Sequence, residues 1–328
     1  MTVPCVAVER QAGEATRQRL AEAGLLATEW DIDVDEDQVY IPVTDPEAVP
    51  ADLQVVAHDA PERQTQQMPA DLLGWEPSYE RLGDLAIIDE DDTDRADAIA
   101  EALWQSDLPI DGVLNRASKV KGETRTRDWD VLRGSSTQTV HREYGAEFLL
   151  DVDSVYFSPR LATERHRVVT QVTPDEQAFD MFAGVGPFVI PMAKRDATVI
   201  GTDVNETAIE FLRENARRNG VEDRVTAIAG DVRDVAPEYE NWADRLVMNL
   251  PHSAQEFLDT AVSLAGEHAR LHYYDIQHES APFEPGEAAI RDAAEPEYQV
   301  TVRTRHEVRT YAPHEVNVVL DVDLDRVD

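Results

Sequence analysis

Between residues 177 and 274 the chain alternates apolar strand-like runs with helical runs, and this alternation constrains the fold more than any other feature. The strand-like runs are Gln177–Met181, Thr198–Thr202, Val225–Ala229, Ala243–Met248 and Ala269–Tyr274, with helical spacing between them, notably Glu206–Asn219 and Ala254–Ala265. Short, nearly continuous apolar strands separated by helices bury both faces in a parallel sheet covered by helices. The predicted fold is therefore α/β and Rossmann-like over residues 173–328. Ligands of such sheets bind outside the carboxyl ends of the strands, so those ends are where chemistry is sought.

The first strand ends in Asp180-Met181-Phe182-Ala183-Gly184-Val185-Gly186-Pro187-Phe188. Gly184 and Gly186 permit positive φ and close approach of the backbone to a ligand, although Gly-x-Gly also marks ordinary turns. A dinucleotide fingerprint would place a third glycine where Val189 stands, which counts against hydride chemistry. The second strand ends in Thr202-Asp203-Val204-Asn205. A carboxylate there can accept both ribose hydroxyls of a nucleoside; helix capping, the other role open to it, suits Asn205 better. The third ends in Gly230-Asp231-Val232, where an acid can meet an adenine amino group or serve as a plain loop acid. Taken in order, the three ends point to a bound nucleoside. The lack of a Gly-rich Lys-Ser/Thr loop argues against a triphosphate. The fourth strand ends in Met248-Asn249-Leu250-Pro251-His252. Here the sequence resembles class I methyltransferases, whose fourth-strand motif faces a planar nitrogen acceptor. The resemblance implies S-adenosylmethionine as cofactor.

The remainder divides in two. Val3–Val8, Ala12–Leu25 and Gln38–Val43 read as strand, helix and strand of a small α/β domain, 1–60. Polar residues 58–70 show no period, and a linker is placed at 61–77. An α+β region, 78–172, follows, with strands at Leu85–Ile88, Val113–Val120, Thr126–Leu132 and Gln138–Glu143 and a helix at Ala96–Trp104.

Charge has to be read with care, because 66 acidic residues face only 30 basic ones, a net charge of −36. The acids are spread among well-patterned apolar residues, so adaptation to high intracellular salt is expected rather than a disordered acidic tail. In molar salt the Debye length falls to ~3 Å and a large like charge repels itself weakly. Low pI then loses its usual weight against nucleic-acid binding, and local basic clusters become the useful signal. One exists: Arg116, Lys119, Lys121, Arg125, Arg127, Arg133 and Arg142 gather in the middle region, although lysine occurs elsewhere only at Lys194. Cys5 is the sole cysteine, which excludes an internal disulfide and a Cys-clustered metal site; no metal is expected. No apolar run reaches ~18 residues, and the first residues lack signal-peptide character. A cytoplasmic enzyme with no membrane association is expected.

Val155-Tyr156-Phe157-Ser158-Pro159-Arg160-Leu161-Ala162-Thr163-Glu164-Arg165 resembles the signature of the archaeal and eukaryotic tRNA (guanine-37 N1) methyltransferase family. Gly122-Glu123-Thr124-Arg125, His272-Tyr273-Tyr274 and Tyr311-Ala312-Pro313 extend the match, with a weaker one at Val39–Val43. The resemblance implies Glu164 as the base that removes the N1 proton, and Arg125, with Arg127 as alternative, stabilising charge on O6. It implies Asn249 orienting the guanine and Tyr156 supporting the base or the proton path. Cofactor contacts fall to Arg165, Phe182, Gly184, Gly186, Asp203, Val204, Asp231, Val232 and Asn249. Arg116, Lys119, Lys121, Arg127, Arg142 and Arg160 become candidate RNA contacts. On residue chemistry alone, Glu164 reads rather as a solvated helical acid, Arg125 as a phosphate contact or surface arginine, and Tyr156 as a core residue at a strand end. The implied partner is a tRNA with guanine 3′ of the anticodon, read by a monomer without an obligatory protein partner. The small N-terminal domain would inspect tRNA shape. The alternatives are a paralogue transferring an aminocarboxypropyl group in wyosine synthesis and a dual-function methyltransferase. The family's usual basic surface is missing, which leaves the phosphate contacts open.

Overall fold

The computed structural model describes residues 2–35, 37–63, 66–118, 122 and 125–327. The chain divides into two compact units, Met1–Gln67 and Met68–Asp328. In the first, β1 (Thr2–Glu9), α1 (Gly13–Glu22), β2 (Asp33–Val34), β3 (Gln38–Pro42) and β4 (Gln54–Asp59) build an antiparallel sheet of order β2-β3-β1-β4. Val6, Leu20, Val39 and Ile41 form its core. Strand β4 extends into the polar stretch 58–70, which shows no period in the sequence. It is an edge strand pairing only with β1, so its polar His58 and Asp59 hide the pattern.

The second unit begins with α2 (Pro69–Leu73), β5 (Glu80–Leu82), β6 (Leu85–Ile88), α3 (Thr93–Gln105), β7 (Gly112–Arg116) and β8 (Trp129–Arg133), the strands pairing in the order β5-β6-β7-β8. Asp92 caps α3 by accepting from the Arg95 amide at 2.9 Å, and Ile99 and Leu103 pack on Ile88 and Val113. The hairpin β9 (Gln138–Glu143) and β10 (Ala146–Asp151) leads to α4 (Ala162–Val169).

The expected alternation follows: β11 (Gln177–Asp180), α5 (Val189–Ala193), β12 (Thr198–Asp203), α6 (Glu206–Arg218), β13 (Val225–Ala229), α7 (Val232–Val235), β14 (Ala243–Met248), α8 (Leu258–Leu264) and β15 (Ala265–His278). Then come α9 (Glu284–Ala294), β16 (Tyr298–Ala312) and β17 (Glu315–Arg326), giving the order β13-β12-β11-β14-β15-β17-β16. The strands β11 to β15 run parallel, but β17 is antiparallel to β15, and β16 to β17. The sheet is thus mixed rather than parallel throughout. The closing hairpin escapes the alternation signal because no crossover helix separates its strands.

Asn215 of α6 joins the hairpin to the sheet domain. Its amide donates to the Leu149 carbonyl at 3.0 Å and its Oδ1 accepts from the Leu149 amide at 2.7 Å. A single core runs through both, from Phe148 and Leu150 to Val185, Ile190 and Leu212. Backbone groups at the edge of β10 are thereby satisfied from a helix instead of another strand.

Candidate active site

A cleft of about 1170 Å³ opens over the carboxyl ends of β11, β12, β13 and β14. Its floor is the glycine turn. Gly184 has φ +52, and a Cβ there would meet nothing within 4 Å, so the turn faces open space. Gly186, with φ +94, would drive a Cβ to within 2.4 Å of Leu212 Cδ1. One glycine leaves room for a ligand and the other for the helix behind. Asp203 pins the turn, its Oδ2 accepting from the Gly184 amide at 2.8 Å and its Oδ1 from the Asn205 amide at 2.9 Å. Burial raises its carboxyl above the usual range against these two bonds. Asn205 caps α6, accepting from Thr207 and Ala208 amides. Phe182, Val204 and Val232 also line the cleft, and Phe182 meets Phe257 edge-on at 5.0 Å. Asp231 lines it too, but its carboxylate is held by Arg233 at 2.5 Å, which lowers its pKa.

The opposite wall carries Arg116, Arg125, Arg127, Tyr156, Phe157 and Arg165. Arg125, in a left-handed backbone conformation with φ 54, stacks its guanidinium over Tyr156 at 4.8 Å. Arg127 stacks over Trp129 at 5.5 Å, and desolvation followed by the charge of Arg116 lowers its pKa. Asn249, Leu250, Pro251 and His252 form the adjoining rim. Arg125, Tyr156 and Asn249 therefore face the same space as the glycine turn.

Several expected residues are engaged otherwise. Glu164 does not line the cleft: it is 5% exposed and joined to Arg167 at 2.8 and 2.9 Å and to the Tyr274 hydroxyl at 2.7 Å. Arg167 also grips Asp321 at 2.5 Å, and Asp321 receives His272 at 2.6 Å. Burial pushes the Asp321 carboxyl up, but His272 and Arg167 more than offset this and hold it far below the usual range. Arg165, 3% exposed, forms a bidentate pair with Glu143 at 2.7 Å and donates to the Ser158 carbonyl at 3.1 Å. Arg160 pairs with Glu80 at 3.2 Å, and Arg116 with Glu80 at 2.6 Å and Asp89 at 3.3 Å. Arg142 pairs with Glu147 at 2.9 Å away from the cleft lining. Lys119 and Lys121 lie outside the described residues, as do Glu123 and Thr124.

Sequence reasoning missed Arg309 and Asn317, which line the cleft from β16 and β17. An asparagine inside the apolar run Val316–Val319 was the available signal, because buried polar groups need partners.

The strand order, the glycine turn and the acids at successive strand ends define the class, a Rossmann-like methyltransferase that takes S-adenosylmethionine. Residues 139–302 match the TRM5/TYW2 methyltransferase domain, 5–50 the tRNA methyltransferase 5 N-terminal domain and 64–137 the TYW2 N-terminal domain. The chain belongs to the TRM5/TYW2 methyltransferase family. It is 38% identical to the tRNA (guanine(37)-N(1))-methyltransferase Trm5b of Pyrococcus abyssi, over 96% of this chain and 97% of that protein. A solved complex of aTrm5 with tRNALeu matches with TM-score 0.77 and 29% identity, over 98% of this chain and 99% of that one. TYW2 of Methanocaldococcus jannaschii, solved with AdoMet, matches with TM-score 0.62 and 28% identity, over 76% of this chain and all of that one.

Proposed function

We propose that this chain transfers a methyl group from S-adenosylmethionine to N1 of guanine 37, the base 3′ of the anticodon, in tRNA. The observation that carries the reading is a single cleft with chemically different walls. The glycine turn with Asp203 and Asp231 suits a nucleoside cofactor, while Arg125, Arg127 and Asn249 suit a base and its phosphates. The full-length similarity to Trm5b supports it. The TYW2 structures of Methanocaldococcus jannaschii and Pyrococcus horikoshii cover 76% and 80% of the chain, whereas the Trm5b match covers 96% and residues 5–50 match a Trm5 N-terminal domain; this favours methyl over aminocarboxypropyl transfer.

The residues fit the cofactor. Each Asp203 oxygen accepts one backbone N–H and keeps a lone pair for a ribose hydroxyl. Asp231 would accept from the adenine amino group in place of its present contact with Arg233. When bound, the cofactor supplies an electrophilic methyl on its sulfonium, so the protein's task is mainly positioning. A base in an anticodon loop is extruded at lower cost than one in a duplex. Asn249 and the turn set by Pro251 orient its edge. As N1 loses its proton, charge develops on O6, where Arg125, kept planar on Tyr156, donates hydrogen bonds. Glu164 is assigned the proton. Reaching it requires the carboxylate to trade part of its contact with Arg167 or Tyr274 for the base. Arg165, tied to Glu143, steadies the segment that bears Glu164 and Tyr156. Arg116, Arg127, Arg142 and Arg160, with Lys119 and Lys121, are proposed phosphate contacts; Arg116 and Arg127 line the cleft, Arg160 lines the smaller cavity, and Arg142 lies away from both.

The test is product analysis. The protein is incubated in molar KCl with labelled cofactor and unmodified tRNA bearing guanine 37. The expected product is 1-methylguanosine, abolished when that guanine is replaced by adenine. An aminocarboxypropyl product, or methylation undiminished by the replacement, overturns the reading.

A further inference from the structure

Arg309 and Asn317 stand directly opposite each other on β16 and β17, which places their side chains on one face as neighbours. Register shifts between Glu307 and Arg309 and between Thr310 and Ala312 bracket this pair. Such bulges bend a strand and re-aim its side chains. Both residues line the cleft. Asn317 is only 4% exposed, yet its Oδ1 has no hydrogen-bond partner, and neither has the buried Nε of Arg309. A buried acceptor and a buried donor, side by side and unused, are costly unless a ligand completes them.

Their surroundings indicate the ligand. Arg309 also lines a smaller cavity of about 230 Å³ with Arg116, Arg125, Arg127 and Arg160. Glu80 is shared between Arg116 and Arg160, and Asp89 also pairs with Arg116. Among the described residues, no carboxylate pairs with Arg125, Arg127 or Arg309, in a chain where acids outnumber bases by 66 to 30. Unpaired guanidiniums on one wall call for an anion from outside. Asn317 pairs with Ile276 across β15, and the Ile276 amide donates to the Pro251 carbonyl at 3.2 Å. The pair thus adjoins the Asn249–His252 rim, on the flank of the sheet away from Asp203 and Asp231. A ribonucleotide offers the matching chemistry, since its phosphate oxygens accept and its neighbouring 2′-hydroxyl donates.

Building on the function proposed above, we infer that Arg309 and Asn317 grip the ribose–phosphate of the target nucleotide. Arg309 donates to the 3′ phosphate and Asn317 accepts from the 2′-hydroxyl, which makes the site selective for RNA over DNA. The test measures kcat/KM of the full chain on synthetic tRNA with either ribose or a single 2′-deoxyribose at position 37. The wild type should be about tenfold slower on the deoxy substrate. Asn317→Ala should lose about as much on the ribose substrate and show no further deoxy penalty. Arg309→Gln should weaken both substrates equally and reduce the slope of log affinity against log salt by about one. Cofactor affinity, measured by calorimetry, should be unchanged in both variants. A wild type indifferent to the 2′-hydroxyl overturns the inference without recourse to any variant, as does a deoxy penalty that survives in Asn317→Ala. Absence of methyl transfer even to the ribose substrate would instead overturn the proposed function, and this inference with it.

Discussion

Asp180, at the end of β11, is 1% exposed, accepts from the Phe182 amide at 3.2 Å through Oδ1, and has an unpartnered Oδ2. Burial, with a smaller contribution from the nearby Asp203 charge, pushes its carboxyl up to about 7. Because this lies above the ordinary 3.8, the stability tied to the protonated form is complete below about pH 4 and lost as the pH rises through about 7. Asp180→Asn keeps the shape but cannot ionise. Its stability relative to wild type should therefore grow between pH 5 and pH 8.5, by up to ~3 kcal/mol at ~1.36 kcal/mol per pKa unit. Denaturant unfolding at the two pH values measures it, and parallel pH profiles for the two proteins would refute it. Glu164 makes a second residue-scale case. Glu164→Gln should cut turnover by ~100-fold or more with cofactor affinity intact, as expected for loss of a general base, while Arg167 retains Asp321 to hold the fold. Undiminished turnover would pass the role to another carboxylate, such as the cleft-lining Asp89. The sequence resemblance singled out Glu164 but said nothing of its partners Arg167 and Tyr274, which come from the same helix turn and from a distant strand.

At the scale of elements, the glycine turn divides its two tasks between Gly184 and Gly186. Gly186→Ala forces a Cβ against Leu212 and Ile190 in addition to its positive φ, so it should destabilise the fold by ~2–3 kcal/mol through overpacking. Gly184→Ala meets no atom within 4 Å. It should cost only ~1–2 kcal/mol of backbone strain while weakening cofactor binding sharply, because the new methyl enters the cleft. Thermal melts and cofactor titration separate the two, and the reverse ordering would sink this division of roles. The strands β11 to β14 were legible because each is a short apolar run ended by a glycine, an acid or, after β14, Asn249. The hairpin β16–β17 was not. Its outer strand exposes Arg303, Arg305 and Glu307, and its bulges break the period-2 pattern on which recognition of a strand depends.

For the whole molecule the governing quantity is charge. A net charge of −36 makes the folded state repel itself at low salt. Exposed pairs such as Arg19–Asp52 and Arg17–Glu14 weaken as salt rises, but fully solvated pairs contribute little to begin with. Relief of repulsion should win. The melting temperature should rise when KCl is increased from about 0.1 M to about 2 M, where the Debye length falls below ~3 Å. A flat or falling profile would remove salt adaptation as the reason for the acidic composition.

The alternation of apolar runs and the residues at their ends determined, without coordinates, the parallel part of the sheet, the glycine turn, and Asp203, Asp231 and Asn249 as a group. These are local signals: period, turn chemistry and position at a strand end are written within a few residues of one another. Tertiary structure alone decided that Glu164 pairs with Arg167 and Tyr274, that Arg165 is committed to Glu143, and that Arg309 and Asn317 reach the cleft with unsatisfied atoms. Such facts depend on which groups from distant parts of the chain meet in a space poor in water. There the cost of an unpaired charge or hydrogen-bonding group is set by its neighbours, which no local pattern records.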